Sequence, residues 1–275
     1  MTDLSAPHFH NKTVARRYLE KLRWSDGPVC PHCGTIDGHY KTKREGVYRC
    51  AAKKCRKDFS VTIGTIFERS HIPLHKWLLG FRLMCGSKKG MAAHQLHRTL
   101  GVTYKTAWFM AHRIRESMRD LSPGPMGGPN SVVEADETYI GGKAKNRKGK
   151  VPPKEAVFAL IERDGRVRSA HVPNVGAKTL RKELVTQIDR RSYLMTDEAP
   201  AYKRTGKEFA GHGTVNHSIE EYVRGGFWHT NTVENYFSIM KRGITGTYFH
   251  VSPTHLKRYL AEFDFRYNGA CSPWH

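Results

Sequence analysis

The sequence predicts an α/β chain in three parts: a small cysteine-paired module, a run of short helices, and a larger domain mixing strands with helices. Three observations predict it. Four of the six cysteines fall into two close pairs, Cys30 with Cys33 and Cys50 with Cys55. Residues 71–120 carry apolar side chains at helical spacing, broken by glycines. Beyond a stretch dense in Pro and Gly, the apolar pattern changes toward that of strands.

The chain has 275 residues, of which 39% are apolar, enough for a real core, so wholesale disorder is excluded. Lys plus Arg number 46 against 25 Asp plus Glu, a formal net charge of +21. That excess favours a polyanionic partner, because each phosphate neutralised by a cation releases condensed counterions. It is unevenly spread: residues 1–130 hold 23 basic and 9 acidic residues, and residues 131–275 hold 23 and 16. The front suits binding, and the back can accommodate an acidic site. A ribosomal protein or another polyanion-binding surface would share this balance. No run reaches the roughly 18 apolar residues of a membrane span. Residues 1–20 contain His8, His10, Lys12, Arg16 and Arg17 without an apolar core, unlike a signal peptide. The expected location is the cytoplasm, in association with the nucleoid, where cysteines serve metals more often than disulfides.

Within the first part (residues 1–70), the spacing C-x2-C, sixteen residues, C-x4-C matches a structural zinc ribbon, with Cys30, Cys33, Cys50 and Cys55 as four thiolate ligands for one Zn2+. So small a module has little core, and the metal would supply much of its folding energy. Cys85 and Cys271 stand alone. In residues 71–120, a helix starts after Pro73 and runs to Met84, and Gly86 to Gly90 break it. A second helix ends at Leu100. Gly101 turns the chain, and Thr103 can cap a third helix with Ala107, Ala111, Ile114 and Met118 on one side. Helix, short Gly turn and helix suits a helix-turn-helix. Tyr104, Lys105 and Thr106 would then begin the recognition helix, and Arg113 and Arg115 would reach phosphates. An ordinary helical bundle with a basic face is the plainer alternative.

Leu121 to Asn130 is expected to be a linker. After it, residues 131–275 give a strand at Ser131–Ile140, a basic loop with Lys143, Lys145, Arg147, Lys148 and Lys150, and a hairpin of Ala156–Ile161 and Val167–Val172 turning at Asp164-Gly165. A helix at Ala177–Ile188, a strand at Tyr193–Thr196, a weak strand at Thr214–His217 and a helix at Val233–Lys241 follow. Strand, hairpin, helix, strand, strand, helix is the order of a ribonuclease H-like domain.

Three acids stand out by position. Asp136 lies in the first strand, Asp197 just past another strand, and Glu234 in the first turns of a helix. Carboxylates so placed can converge and offer the hard oxygen ligands that Mg2+ or Mn2+ requires. Two such ions about 4 Å apart would support in-line phosphoryl transfer. Taken singly, each acid is more ordinarily a solvated surface residue; it is three at such positions in one domain that point to a site. Glu134 lies two residues before Asp136 on the same strand face and is an alternative ligand; Glu137 faces the other way. Lys241 projects from the same helix face as Glu234, two turns on, where it can hold a phosphate.

Val133-Glu134-Ala135-Asp136-Glu137-Thr138-Tyr139-Ile140-Gly141-Gly142, Met195-Thr196-Asp197-Glu198 with Ala201-Tyr202, and His229-Thr230-Asn231-Thr232-Val233-Glu234 resemble the three acidic blocks of bacterial insertion-sequence transposases. The closest group is the zinc-ribbon DDE family related to Merlin elements. The tail His255 to Asn268 resembles that family's closing helix, and the ribbon and helix-turn-helix resemble its front end. The resemblance implies that Asp136, Asp197 and Glu234 form the DDE triad holding two Mg2+ (or Mn2+) ions, and that Lys241 matches the basic residue after the Glu. It also implies binding to double-stranded DNA, namely terminal inverted repeats and target DNA, by a homo-oligomer of at least two chains. Water activated by the metals would cleave the element's end, and the 3′-OH would then attack target DNA. Some relatives use Asn as the third ligand, so Asn231 or Asn235 can share the site, and Trp228 and His229 can line it. A zinc-ribbon transcriptional regulator and a ribonuclease H-like nuclease that stops at hydrolysis are the rival functions.

Overall fold

A computed structural model describes residues 3–87, 89–121, 123–141, 153–163, 165–215 and 230–269. They divide into two compact units, one of residues 1–86 and 93–117 and one of residues 87–92 and 118–275.

The first unit opens with a 3-10 turn, Pro7–Phe9, and helix α1, Lys12–Arg23. Asn11 caps α1 through its side-chain oxygen, which accepts from the amides of Thr13 (2.9 Å) and Val14 (3.1 Å). Strands β1 (His39–Lys41), β2 (Val47–Cys50) and β3 (Asp58–Ser60) form an antiparallel sheet in that order. Its core is small: Trp24, Cys30, Cys50, Phe59 and Val61. Arg23 ties α1 to the chain after β3 by donating to the carbonyls of Val61 (2.7 Å) and Ile63 (2.6 Å). Helices α2 (Leu74–Gly86), α3 (Ala93–Leu100) and α4 (Tyr104–Ser117) follow the helical spacing in the sequence. Their inner faces bury Trp77, Met84, Leu96, Leu100, Met110, Ala111 and Ile114. Thr103 caps α4: its hydroxyl accepts from the Thr106 amide at 3.2 Å.

The second unit is built on strands β4 (Val132–Gly141), β5 (Lys154–Glu162), β6 (Val167–Val172), β7 (Tyr193–Asp197) and β8 (Gly211–Val215), in the order β6-β5-β4-β7-β8. β4 is antiparallel to β5 and parallel to β7, and β7 is parallel to β8. This is the ribonuclease H-like sheet. Helices α5 (Ala177–Gln187) and α6 (Pro200–Lys203) contribute to the core on one face, and α7 (Asn231–Gly243) and α8 (Pro253–Asn268) to that on the other. β5 shows why: Ala156, Phe158 and Leu160 enter the α5 core while Val157, Ala159 and Ile161 enter the α7 core. A strand covered on both sides is apolar throughout, and burial of each large side chain contributes about 1.5–3 kcal/mol. A π turn, Ile244–Tyr248, extends α7. None of the described helices is long and apolar enough to cross a membrane.

The expected linker is tied to the second unit: Arg168 donates to Gly124 O at 2.9 Å and Arg166 to Pro125 O at 3.3 Å. Met126 is fully buried, takes a hydrogen bond from Asp189 and donates to Gln187 O at 2.7 Å. Gly127 sits at φ +76°, and a Cβ there would lie 2.1 Å from Ser192 Oγ. Glycine is present for close approach and a left-handed backbone, not for flexibility. Sequence reasoning also missed α1, and it placed β8 a few residues late because Gly211-His212-Gly213 lacks β-forming side chains. The basic loop with Lys143, Lys145, Arg147, Lys148 and Lys150, the side chains of Trp228 and His229, and Cys271 lie outside the described residues.

Candidate active site and zinc ribbon

β4 and β7 run in register, Val132 opposite Tyr193 and Glu134 opposite Met195. Two residues further on, the same register sets Asp136 level with Asp197. Side chains alternate along β4, so Val133 and Ala135 enter the α5 core while Glu134, Asp136 and Ile140 face α7. α7 carries Glu234 in its first turn. Two strands and one helix thus bring three carboxylates near enough for the charges of Asp197 and Glu234 to act on Asp136, without gathering their oxygens into a group within 4.8 Å of one another. Burial pushes the Asp136 carboxyl up to about 7, reinforced by the charges of Glu137, Asp197 and Glu234 and opposed by a hydrogen bond from the Glu137 amide. The Thr230 hydroxyl donates to Glu234 at 3.0 Å, and the Ala199 amide to Asp197 at 3.1 Å. A half-buried acid among other acids is held neutral or needs positive charge beside it. The donor set suits a hard divalent cation such as Mg2+ or Mn2+, which takes carboxylate oxygens and would return Asp136 to its ionised form.

Glu134, the alternative ligand, has its oxygens engaged within the protein. It is fully buried and accepts from the amides of Thr232 (2.9 Å) and Val233 (3.1 Å) and from the Thr232 hydroxyl (2.9 Å). Arg163 adds an ion pair at 3.3 Å. The first amides of a helix lack intrahelical partners, and the helix dipole favours a negative group there. Thr230, the residue at the N-cap, makes no side-chain cap hydrogen bond. Glu134 supplies the cap from across the fold, one pleat from Asp136, and so locks the Glu234 helix to the Asp136 strand. On the opposite face of β4, Tyr202 donates a short hydrogen bond to Glu137. Arg163 had no recognisable signal in the sequence, and Thr230 and Tyr202 stood in the acidic blocks without an assigned role, since each acts through a partner brought close only by folding.

In the ribbon, the sulfurs of Cys30, Cys33, Cys50 and Cys55 all lie within 4.8 Å of one another, the one such group of metal-capable side chains among the described residues. Cys30 Sγ is 3.8 Å from Cys55 Sγ, and Cys33 Sγ is 3.6 Å from Cys50 Sγ. Disulfides require about 2.05 Å. A tetrahedron of zinc–sulfur bonds of about 2.3 Å has edges of about 3.8 Å, so the four thiols fit one zinc ion. Hydrogen bonds from Thr35 hold the Cys33 thiol down at about 6, favouring the thiolate that binds metal.

Residues 127–268, more than half the chain, match the family model described as ISXO2-like transposase domain, and residues 11–58 match the transposase zinc-ribbon domain. The chain belongs to the ISXO2-like transposase family. A protein of the Halobacterium salinarum transposable element ISH50 is 28% identical to this transposase over 94% of the chain and 91% of its own length. The Caenorhabditis elegans male abnormal protein mab-31 is 24% identical over 62% of the chain, which spans only 44% of that protein. Among solved structures, a simian T-cell lymphotropic virus intasome in complex with PP2A regulatory subunit B56 gamma aligns at 17% identity and a TM-score of 0.33, covering 62% of this chain and 63% of that one. The mariner Mos1 paired end complex with Mg aligns at 13% identity and a TM-score of 0.28, covering 93% and 88%.

The residues expected to touch DNA are divided by the structure. Tyr104 and Lys105 are exposed at the start of α4, Tyr104 stacked on His94 with ring centroids 4.2 Å apart. Thr106 is half-buried and its hydroxyl pairs with that of Thr103 at 2.8 Å, so it serves the cap. Arg113 is half-buried, donates to Glu68 O at 3.2 Å and lies over Phe109. Arg115 is only 2% exposed, which removes it from the phosphate-contacting set. Its position falls on the apolar side of α4, two residues from Arg113 and a half-turn away. In the second unit, Lys241 and Asn231 are both exposed on α7.

Proposed function

We propose that this transposase cuts the ends of its own element and joins them to target DNA, with Asp136, Asp197 and Glu234 as the ligands of two divalent cations. The observation that carries this reading is the convergence of Asp136 and Asp197, on neighbouring parallel strands, with Glu234 at the start of the covering helix. Bound Mg2+ or Mn2+ would supply Lewis acidity for the attacking and leaving oxygens. The residues hold the geometry: Glu134 fixes the Glu234 helix to the strand bearing Asp136, and Lys241, exposed two turns along, holds a backbone phosphate. In the first reaction a water oxygen bonds to phosphorus and the 3′ oxygen leaves, taking up a proton to become a 3′-OH. In the second that hydroxyl attacks a target phosphodiester, forms the new ester and releases a target 3′-OH. The first turn of α4, with Tyr104 and Lys105, reads the terminal inverted repeat from the major groove, and the zinc ribbon is structural. Pairing of two ends requires at least two copies of the chain.

The test is an in vitro reaction of the full chain with labelled end DNA and a target plasmid, in Mg2+, Mn2+ or EDTA. Cleaved and joined products are expected only with metal, and Asp136→Asn is expected to abolish both while still binding the end DNA. Joining by that variant at the wild-type rate would overturn the triad. Hydrolysis without joining would leave a nuclease, and DNA binding without nicking a regulator.

A further inference from the structure

On the α5 side of the second unit, beside the sheet edge at β8, lies a groove of about 750 Å³. Lys203, Arg204 and Lys207 line it, with His212, Thr214 and Phe209. All three cations are exposed, and none forms an ion pair with a described residue. The nearby acid, Glu208, is already held by Arg181 and Arg190, each at 2.7 Å. Among the described residues, nothing pairs with the positive charge of the groove. His212 adds none, since burial lowers its pKa. Its ring instead fills the space a Gly206 side chain would take, and its Nε2 lies 2.9 Å from the Thr196 hydroxyl. Thr196 immediately precedes Asp197 on β7, and Lys203 ends the short helix that follows Asp197. The groove and the candidate metal ligand are thus parts of one stretch of chain.

The geometry points to this groove as a binding site for the DNA backbone flanking the phosphodiester that is cut, with Lys203, Arg204 and Lys207 as its phosphate contacts. The chemistry favours a phosphodiester chain over a protein partner: Phe209 is the one large apolar lining residue and is 8% exposed, whereas three exposed cations, with no ion pair among the described residues, and a threonine hydroxyl are presented. Lysine and arginine bind phosphate as charges without reading sequence. β8 is the edge strand, one strand spacing of about 4.8 Å from β7, and the groove lies on the sheet face opposite Glu134 and Asp136, so DNA leaving the carboxylates would reach it by passing around that edge. This inference deepens the transposase reading above and rests on it for the role of the contact, though not for the contact itself.

Two measurements test it on the full chain. The first is the salt dependence of binding to a labelled duplex, compared between wild type and Lys203→Ala/Arg204→Ala/Lys207→Ala. Each lost phosphate contact flattens the plot of log affinity against log salt by about 0.9, so a decrease of roughly 2 to 3 is expected. An unchanged slope overturns the proposal. The second compares cleavage of an element end carrying long flanking DNA with one ending at the cut. The variant is expected to lose at least about tenfold on the long substrate relative to the short one, and equal loss on both overturns a flank contact. If neither protein cuts any substrate, the catalytic reading fails while the salt slope still decides the groove. The single variants Lys203→Ala and Lys207→Ala, each expected to flatten the slope by about 1, replace the triple variant if its melting temperature falls. A change in sedimentation with no change in slope would make the face a contact between copies and overturn the DNA assignment.

Discussion

The ribbon and the carboxylate site solve one problem, gathering like ligands, by opposite routes. Cys30 and Cys55 are 25 residues apart in sequence, and tight turns with a minimal core bring all four sulfurs within 4.8 Å. Asp136 and Glu234 are separated by nearly a hundred residues, and a five-stranded sheet with helices on both faces is needed to bring them together. The ribbon has so small an apolar core that a bound metal would contribute much of its folding energy. The carboxylate site is held by a large apolar core and by Glu134, and a metal would serve chemistry there. Locally encoded clusters borrow stability from the ion, whereas a cluster encoded across the chain is stabilised by the fold.

The sharpest way to break that contrast is to remove one ligand from each. Cys50→Ser is expected to release zinc and unfold the ribbon, because structural zinc contributes on the order of 10 kcal/mol to such modules. Zinc stoichiometry and the melting of the first unit would show it, and Asp136→Asn should leave both unchanged. Next in size is Glu134→Ala, which strips the cap from α7 and leaves Arg163 without its carboxylate. Loss of one partner of a buried charged pair costs about 3–5 kcal/mol. The second unit should melt earlier, and Glu134→Gln should recover part of the loss because its carbonyl can still accept from the α7 amides.

Asp264, a half-buried carboxylate on α8, sharpens the comparison. It accepts from the Ser169 amide at 2.9 Å, the Ser169 hydroxyl at 2.7 Å and the Tyr236 hydroxyl at 2.6 Å, yet burial pushes its pKa from 3.8 up to about 6. A raised folded-state value means that its favourable contribution is complete below pH 3.8 and is lost as pH rises through about 6. The loss is on the order of 2–3 kcal/mol, and Asp264→Asn should flatten the stability profile across that window in denaturant titrations. The smallest effect is Thr103→Ala, expected to cost about 1 kcal/mol as a lost helix cap and to weaken binding of end DNA through fraying of the first turn of α4.

Much of the fold was legible because its signals are local. Helical spacing, Gly101 and Thr103 located α3 and α4, the Cys spacing located the ribbon, and two short runs joined at Asp164-Gly165 located β5 and β6. Asp136, Asp197 and Glu234 stood out as acids on two strands and at a helix start, the positions on which the proposed triad rests. Arg115 misled because a basic residue on a basic helix gives no sign of which way it faces when charge and apolar period overlap. Glu134 misled because one strand face can serve both a metal and a helix cap, and the choice depends on which element arrives above it. Met126 to Asn130 looked like a free linker because Pro and Gly mark turns, whether those turns are mobile or packed.

Composition, cysteine spacing and periodicity determined by themselves that the chain is basic, ribbon-bearing and divided between a helical front and an α/β back, since these depend on neighbours a few residues away. Only tertiary structure decided that Glu134 caps α7, that Arg115 is buried, that Gly127 packs on Ser192, and that Lys203, Arg204 and Lys207 line a groove beside the strand carrying Asp197. Each of those depends on the meeting of segments distant in sequence, where burial and the demand that buried polar groups find partners select among roles the residue type leaves open.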